Sequence, residues 1–300
     1  MLSHRNYEKK ARITEALNDG DFYGTAKTCP GIPRIMEDDV TTSRHHYIPK
    51  FYLRGFTDRQ GKFYRYDKLK DDYRYVGTKS IFWEENLNAG VLKHPETGEM
   101  HYFELAEHLF SGLESMLAKS IEILRNTDAS TRIMAVPAAV ETIKQLIHFL
   151  FWRVPSNKAL LDKLMDEKTL GDLGFGFFDT NGKRLTEWEE KMKDIDLWRK
   201  MYPALIASGR ASSSFKMNND IHWDTYYMNW NHAFVTDNPV ILRSFDGPAS
   251  LEGNLLFPLS LNMLIVSLDG KKKPALAPMI AQLQQGNPCQ NPFAADAKRK

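Results

Sequence analysis

His45-His46-Tyr47-Ile48-Pro49-Lys50-Phe51-Tyr52-Leu53-Arg54-Gly55-Phe56 brings two imidazoles, two cations, four aromatic rings and a proline into twelve consecutive residues. Pro49 suits the first turn of a short helix, where its missing N–H leaves no hydrogen bond unmade. The spacing predicts that Phe51, Tyr52 and Phe56 face inward, with Gly55 close to the helix end. Most of this density reads as aromatic packing that seats the short helix.

The neighbouring sequence extends that reading. Phe63-Tyr64-Arg65-Tyr66 and Tyr73-Arg74-Tyr75-Val76 are aromatic alternating runs separated by the polar Asp67–Asp72, the pattern of a β-hairpin. Leu105, Leu109, Leu113, Met116, Leu117 and Leu124 recur at helical spacing and predict a helix over 103–126. A second is predicted over 138–154, between Pro137 and Val154-Pro155. Further helices are expected over 157–170 and 186–207, the latter with Trp188, Ile195, Trp198 and Leu205 on its apolar face. Gly171 to Gly182 reads as a loop.

In the last third, short apolar runs alternate with turn residues. Tyr226–Trp230, Ala233–Val235, Val240–Leu242, Leu255–Phe257 and Met263–Val266 predict a small, mainly antiparallel sheet. The fold class is therefore α+β: a mainly helical centre, a hairpin before it and a small sheet after it. Residues 1–42, with a thin amphipathic helix over 3–19, are expected to form an extension. Residues 43–270 are expected to be a single domain, and 271–300 a basic and polar tail.

Composition narrows the function classes. Hydrophobic residues make up 42% and charged residues 26%, which gives ample material for a core. Forty Lys and Arg balance 38 acidic residues, a net charge of +2, so no global field argues for nucleic acid or membrane. The two cysteines, Cys29 and Cys289, support neither a disulfide scaffold nor a Cys-rich zinc site. The N-terminus lacks an apolar signal region, and Leu146–Trp152 is too short to span a bilayer. A cytoplasmic protein without membrane association is expected.

Several side chains are chemically capable. His46, just ahead of the short helix, can serve as base, acid or metal ligand, or simply order the turn. Lys50 and Arg54 lie one turn apart and can make an anion-binding patch for substrate, or be solvated cations. Glu107 and Glu114 share nearly one helix direction, at the margin of the apolar stripe with Phe103, Phe110 and Ile121. Either can be a base or metal ligand, or the partner of an arginine. Arg153 ends an apolar helix face, so it needs a partner: Glu107, Glu114, Asp237 or a bound phosphate. It also complements the helix C-terminus. Asp237 in Thr236-Asp237-Asn238-Pro239 either caps its own turn or serves as a ligand. His45 ranks below His46. His101 and His108 do not form HExxH, and His148, beside Glu141, Lys144 and Gln145, is expected at the surface. Walker A, GxGxxG and GxSxG patterns are absent.

Three short signatures together resemble the bacterial domain-of-unknown-function family numbered four-two-three-eight. They are His46-Tyr47-Ile48-Pro49 with Tyr52-Leu53-Arg54-Gly55-Phe56, then Arg153-Val154-Pro155, then Thr236–Pro239 with Phe257-Pro258-Leu259-Ser260. The resemblance spans roughly 43–270. It implies no established activity and an association with mobile-element and phage-defence genes. His46, Arg153 and Asp237 are the polar residues at signature positions.

Two readings follow. One is a hydrolase, a nuclease-like enzyme acting on a phosphodiester. In it His46, Asp237, Arg153 and Glu114 are catalytic, Lys50 and Arg54 bind substrate, a divalent metal is compatible, and the partner is nucleic acid or nucleotide. The other is a non-catalytic binding or sensor protein whose signatures hold helices to sheet. A nucleic-acid binder without catalysis is disfavoured by the near-neutral charge.

Overall fold

A computed structural model describes residues 44–93, 97–98, 100–127, 133–168, 176, 178–187, 189, 195–207, 221–228, 235–242, 244–245, 251 and 253–269. The helix expected over 3–19 and the tail from 271 lie outside the described residues.

The protein is α+β. After strand β1 (Arg44–His46) come helix α1 (Lys50–Leu53) and a 3-10 turn over Arg54–Phe56. Then follow the hairpin β2 (Lys62–Asp67) and β3 (Asp72–Gly77), strand β4 (Trp83–Glu85), and a second hairpin, β5 (Gly90–Lys93) and β6 (Met100–Phe103). The helical centre is α2 (Leu105–Arg125), α3 (Pro137–Arg153), α4 (Lys158–Glu167) and α5 (Asp196–Ala207). Strands β7 (Ile221–Tyr227), β8 (Ile241–Leu242), β9 (Leu255–Ser260) and β10 (Met263–Asp269) form an antiparallel sheet in the order β7-β10-β9-β8. Strand β1 pairs with β4, setting His46 opposite Trp83. Among the described residues no helix is long and apolar enough to cross a membrane.

Helix α3 is apolar nearly all round, and it lies at the centre. Ile143, Leu146, Ile147, Phe149, Leu150, Phe151 and Trp152 are all buried, as expected of a helix covered on every side. His148 is buried too, contrary to the surface position expected for it. The polar-looking side of α3 is covered as well: Lys144 lies against the Trp223 ring, and Trp152 Nε1 donates to His148 Nδ1 at 3.4 Å. On α2, Leu105, Leu109, Leu113 and Met116 of the apolar stripe are only half-buried, whereas Leu117 and Leu124 are fully buried. The deepest positions are Ala106, Phe110, Leu117, Ile121 and Leu124, so the margin that carries Glu107 and Glu114 lies next to the core.

Helix α5 begins at Asp196. Ile195 is not helical; its carbonyl accepts from Trp198 and Arg199 N–H, so it stands where a cap would. Residues 188 and 190–194, expected to be helical, lie outside the described residues.

The opening segment is fastened to the distant sheet by polar contacts. Tyr52 Oη donates to the Pro258 carbonyl at 2.5 Å. The Arg125 guanidinium donates to Phe51 O, Tyr52 O and Leu259 O at 2.9, 2.7 and 2.8 Å. Strand β9 carries Pro258 in a central position, where a proline breaks the ladder unless the strand is irregular. The register does shift there, between Met263 and Leu264. Leu261 N–H reaches back to the Gly55 carbonyl at 2.9 Å. Gly55 has no side chain for a plain reason: a Cβ would lie 2.4 Å from the Arg125 guanidinium.

Candidate functional site

Strand β1 delivers two adjacent histidines, and their environments differ. Strand geometry turns neighbouring side chains to opposite faces. His45 is 2% exposed. Its Nδ1 accepts the Asn88 backbone N–H at 2.9 Å, which leaves the ring proton on Nε2, 3.6 Å from Glu104 Oε1. His46 is half-buried and hydrogen-bonds to the backbone of Lys79, while its Nε2 is buried without a hydrogen-bond partner. The Nδ1 proton therefore goes to the carbonyl, and Nε2 keeps a lone pair. Burial lowers the pKa of His46 below its ordinary value, and the charges of Lys50 and Arg153 lower it further. The Lys79 hydrogen bond and Glu107 act in the opposite direction.

The backbone just after His46 is fixed by an unusual residue. Tyr47 N–H donates to the Phe82 carbonyl at 2.9 Å, and Phe82 holds φ +57°. That left-handed conformation costs a phenylalanine about 1–2 kcal/mol. The two rings meet edge-on, 5.9 Å apart.

Arg153 comes from the last turn of α3. Its side chain is 1% exposed and lies against the rings of Phe110 and Phe149, at 4.3 and 5.2 Å. Nη1 donates to Glu114 Oε1. Nη2 is 3.7 Å from Glu107 Oε2, an ion pair too long for a hydrogen bond. Nε and Nη2 thus have no hydrogen-bond partner although they are buried. Glu107 is engaged from the other side by Asn88 Nδ2 at 2.6 Å. A continuous polar chain results: Glu104, His45, Asn88, Glu107, Arg153, Glu114.

Of the residues singled out in the sequence, His46, Arg153 and Glu114 are brought into one neighbourhood. Lys50 is close enough for its charge to act on His46. Arg54 is exposed on the 3-10 turn. Asp237 is also exposed, and its charge acts on Tyr47, the neighbour of His46. It does not close its own turn. Thr236 does that, accepting Asn238 N–H at 3.2 Å and donating to Asn238 O at 2.6 Å. Sequence reasoning missed Asn88 and Glu104, which join His45 to the polar chain. Asn88 lies in the turn after β4, and a contact across 43 residues leaves no local pattern.

An open groove of about 390 Å³ lies nearby, lined by Phe151, Asn157, Asn238, Val240 and Phe245 among others. His46, Arg153, Glu114 and Asp237 do not line it. Among the described residues no group of three or more His, Cys, Asp or Glu side chains is arranged to hold a metal ion.

The chemistry on offer is an imidazole with its pKa lowered and its Nε2 unpartnered, within reach of the charge of a guanidinium whose Nε and Nη2 make no hydrogen bond. That pairing can deprotonate a nucleophile next to an oxyanion. The model of the family described as "Protein of unknown function (DUF4238)" matches residues 44–277. No curated protein and no solved structure matches the chain.

Proposed function

The chain belongs to the DUF4238 family of proteins of unknown function, and on that footing we propose that it is a hydrolase with His46 as general base. The substrate class is a phosphodiester, one of whose oxygens takes hydrogen bonds from Arg153 Nη2 and Nε. A single observation carries this reading: His46 Nε2 and Arg153 Nε and Nη2 are buried without hydrogen-bond partners, and the Arg153 charge acts on His46. Unpartnered buried polar atoms cost about 1–3 kcal/mol each, and a ligand that satisfies them recovers that cost.

In this proposal His46 Nε2 takes a proton from water as the water oxygen bonds to phosphorus. The ester P–O bond breaks, and the proton taken up by His46 passes on to the leaving oxygen, while Asp237 enters as a carboxylate whose charge acts on Tyr47, the neighbour of His46. Glu107 and Glu114 hold the guanidinium in place. Lys50 offsets part of their negative charge, which would otherwise weaken the hold on an anion. Action in phage defence or in a mobile element is part of the proposal and rests on the family association alone.

A second reading has its own support. Arg153 is enclosed by two rings and two carboxylates, the form of a lock between helices. Under it the protein binds or senses a partner without catalysis.

The deciding experiment follows hydrolysis of bis(para-nitrophenyl) phosphate and of a labelled single-stranded oligonucleotide, with and without Mg²⁺. It compares the wild type with His46→Gln and Asp237→Ala at matched melting temperature. The proposal expects turnover that His46→Gln reduces by about a hundredfold or more. Absence of turnover in the wild type, or equal turnover in His46→Gln, leaves the binding reading in its place.

A further inference from the structure

The hairpin β2–β3 carries an outward face for which the site at His46 gives no reason. Tyr64 stands opposite Tyr75, and Tyr66 opposite Tyr73. The ring centroids are 5.1 and 4.6 Å apart. These rings are 75, 39, 44 and 48% exposed respectively, and Leu69 at the tip is 97% exposed. Five of the eight large exposed hydrophobic side chains among the described residues therefore sit on one hairpin, which marks it as a contact surface rather than scattered exposure. A cross-strand tyrosine pair stabilises a hairpin. That role does not account for two pairs on the solvent side, because the hairpin is already anchored through Phe63 and Val76 on its reverse face.

The charges around the ladder select the partner. Residues 58–79 carry seven cations and four carboxylates, a surplus of three in a chain whose total is only +2. All four carboxylates are engaged within the hairpin. Asp58 accepts from the Tyr75 hydroxyl and from the Gln60 and Lys62 N–H groups. Asp67 pairs with Arg65, Asp71 accepts from Tyr66, and Asp72 pairs with Arg74. Lys62 lies 5.2 Å above the Tyr75 ring, and Lys68 and Lys70 flank the exposed tip.

We propose that this tyrosine face is a stacking platform for single-stranded nucleic acid, with Lys62, Lys68 and Lys70 contacting its phosphates. Exposed aromatic rings bordered by cations suit unpaired bases, whose faces are open, and not a duplex, whose base faces are already covered. On the reverse of the hairpin the Arg65 charge acts on Tyr47, the neighbour of His46. Binding does not depend on hydrolysis: a protein that binds without turnover keeps this proposal and loses the other.

The test is fluorescence anisotropy with a short labelled DNA strand, the same sequence as RNA, and the DNA as a duplex. Single strands are expected to bind more tightly than the duplex. Tyr64→Ala and Tyr66→Ala are each expected to lose about tenfold, and Tyr66→Phe to stay near wild type because the ring remains. Lys62→Gln and Lys70→Gln, exposed changes that leave the core alone, are each expected to flatten the slope of log affinity against log salt by about 0.7. The proposal is overturned if neither single strand binds, if the duplex binds equally well, or if the lysine changes leave the slope as it was.

Discussion

Glu114 accepts a hydrogen bond from Arg153 Nη1, joining a carboxylate that is 29% exposed to a guanidinium that is 1% exposed. The arginine would be an uncompensated buried charge without its two glutamates. Removing one partner of a fully buried pair costs about 3–5 kcal/mol. Glu114 is partly solvated and Glu107 remains, so Glu114→Gln is expected to cost about 2 kcal/mol in urea unfolding. The double variant Arg153→Met/Glu114→Gln should be less destabilised than the sum of its parts. A cost for Glu114→Gln within the ~0.5 kcal/mol scatter of surface changes would show that the pair is idle.

Gly55→Ala should destabilise through Arg125. A new methyl 2.4 Å from the guanidinium forces it off the three carbonyls it serves. Overpacking of this kind costs about 1–3 kcal/mol. In an Arg125→Met background the same glycine change should cost clearly less. Equal costs in both backgrounds would mean that the close approach does not constrain position 55.

His148 should make stability depend on pH. Burial first, and the Lys144 charge second, lower its pKa to about 4. The unfolded state then binds the proton that the folded state refuses, so stability falls as pH drops from about 6.5 towards 4. The loss is ~3 kcal/mol if the whole shift is realised. His148→Phe should flatten the pH dependence of the urea midpoint in that window, and an unchanged curve would refute the assignment.

His46 should titrate below an ordinary histidine, chiefly through burial and then through Lys50. Lys50→Gln is expected to raise its midpoint and Glu107→Gln to lower it, read by imidazole NMR. If His46 is the base, activity must fall as pH drops through that same midpoint, since the protonated ring has no lone pair to use. A midpoint that ignores both substitutions would remove the electrostatic neighbourhood on which the site depends.

Much of the fold was legible because its cause is local. Hairpin β2–β3 announced itself by alternation, α2 by a 3.6-residue repeat, and α3 by the prolines that bound it. The burial of His148 was not, because what covers the side of α3 carrying Lys144 includes Trp223, on a strand 75 residues further on. The site divides in the same way. Arg153 demanded a partner from its place on an apolar helix, and both glutamates were on the list. Asn88 and Glu104 carry no periodic or motif signal, and nothing local distinguishes His45 from His46. Only the pairing of β1 with β4 and the position of α2 set them apart. Asp237 sits in a turn that its own sequence describes well, yet it is Thr236 that closes it.

The Tyr52 contact with Pro258 spans 206 residues and has a consequence for how the chain is made. Strand β9 is among the last described elements to leave the ribosome. Until it does, Ile48, Phe51, Tyr52, Leu53 and Phe56 lack part of the surface that buries them. The segment that anchors the finished protein is therefore, during synthesis, the stretch with the longest wait for its partner. A chaperone that binds short aromatic and aliphatic runs would find its natural client there.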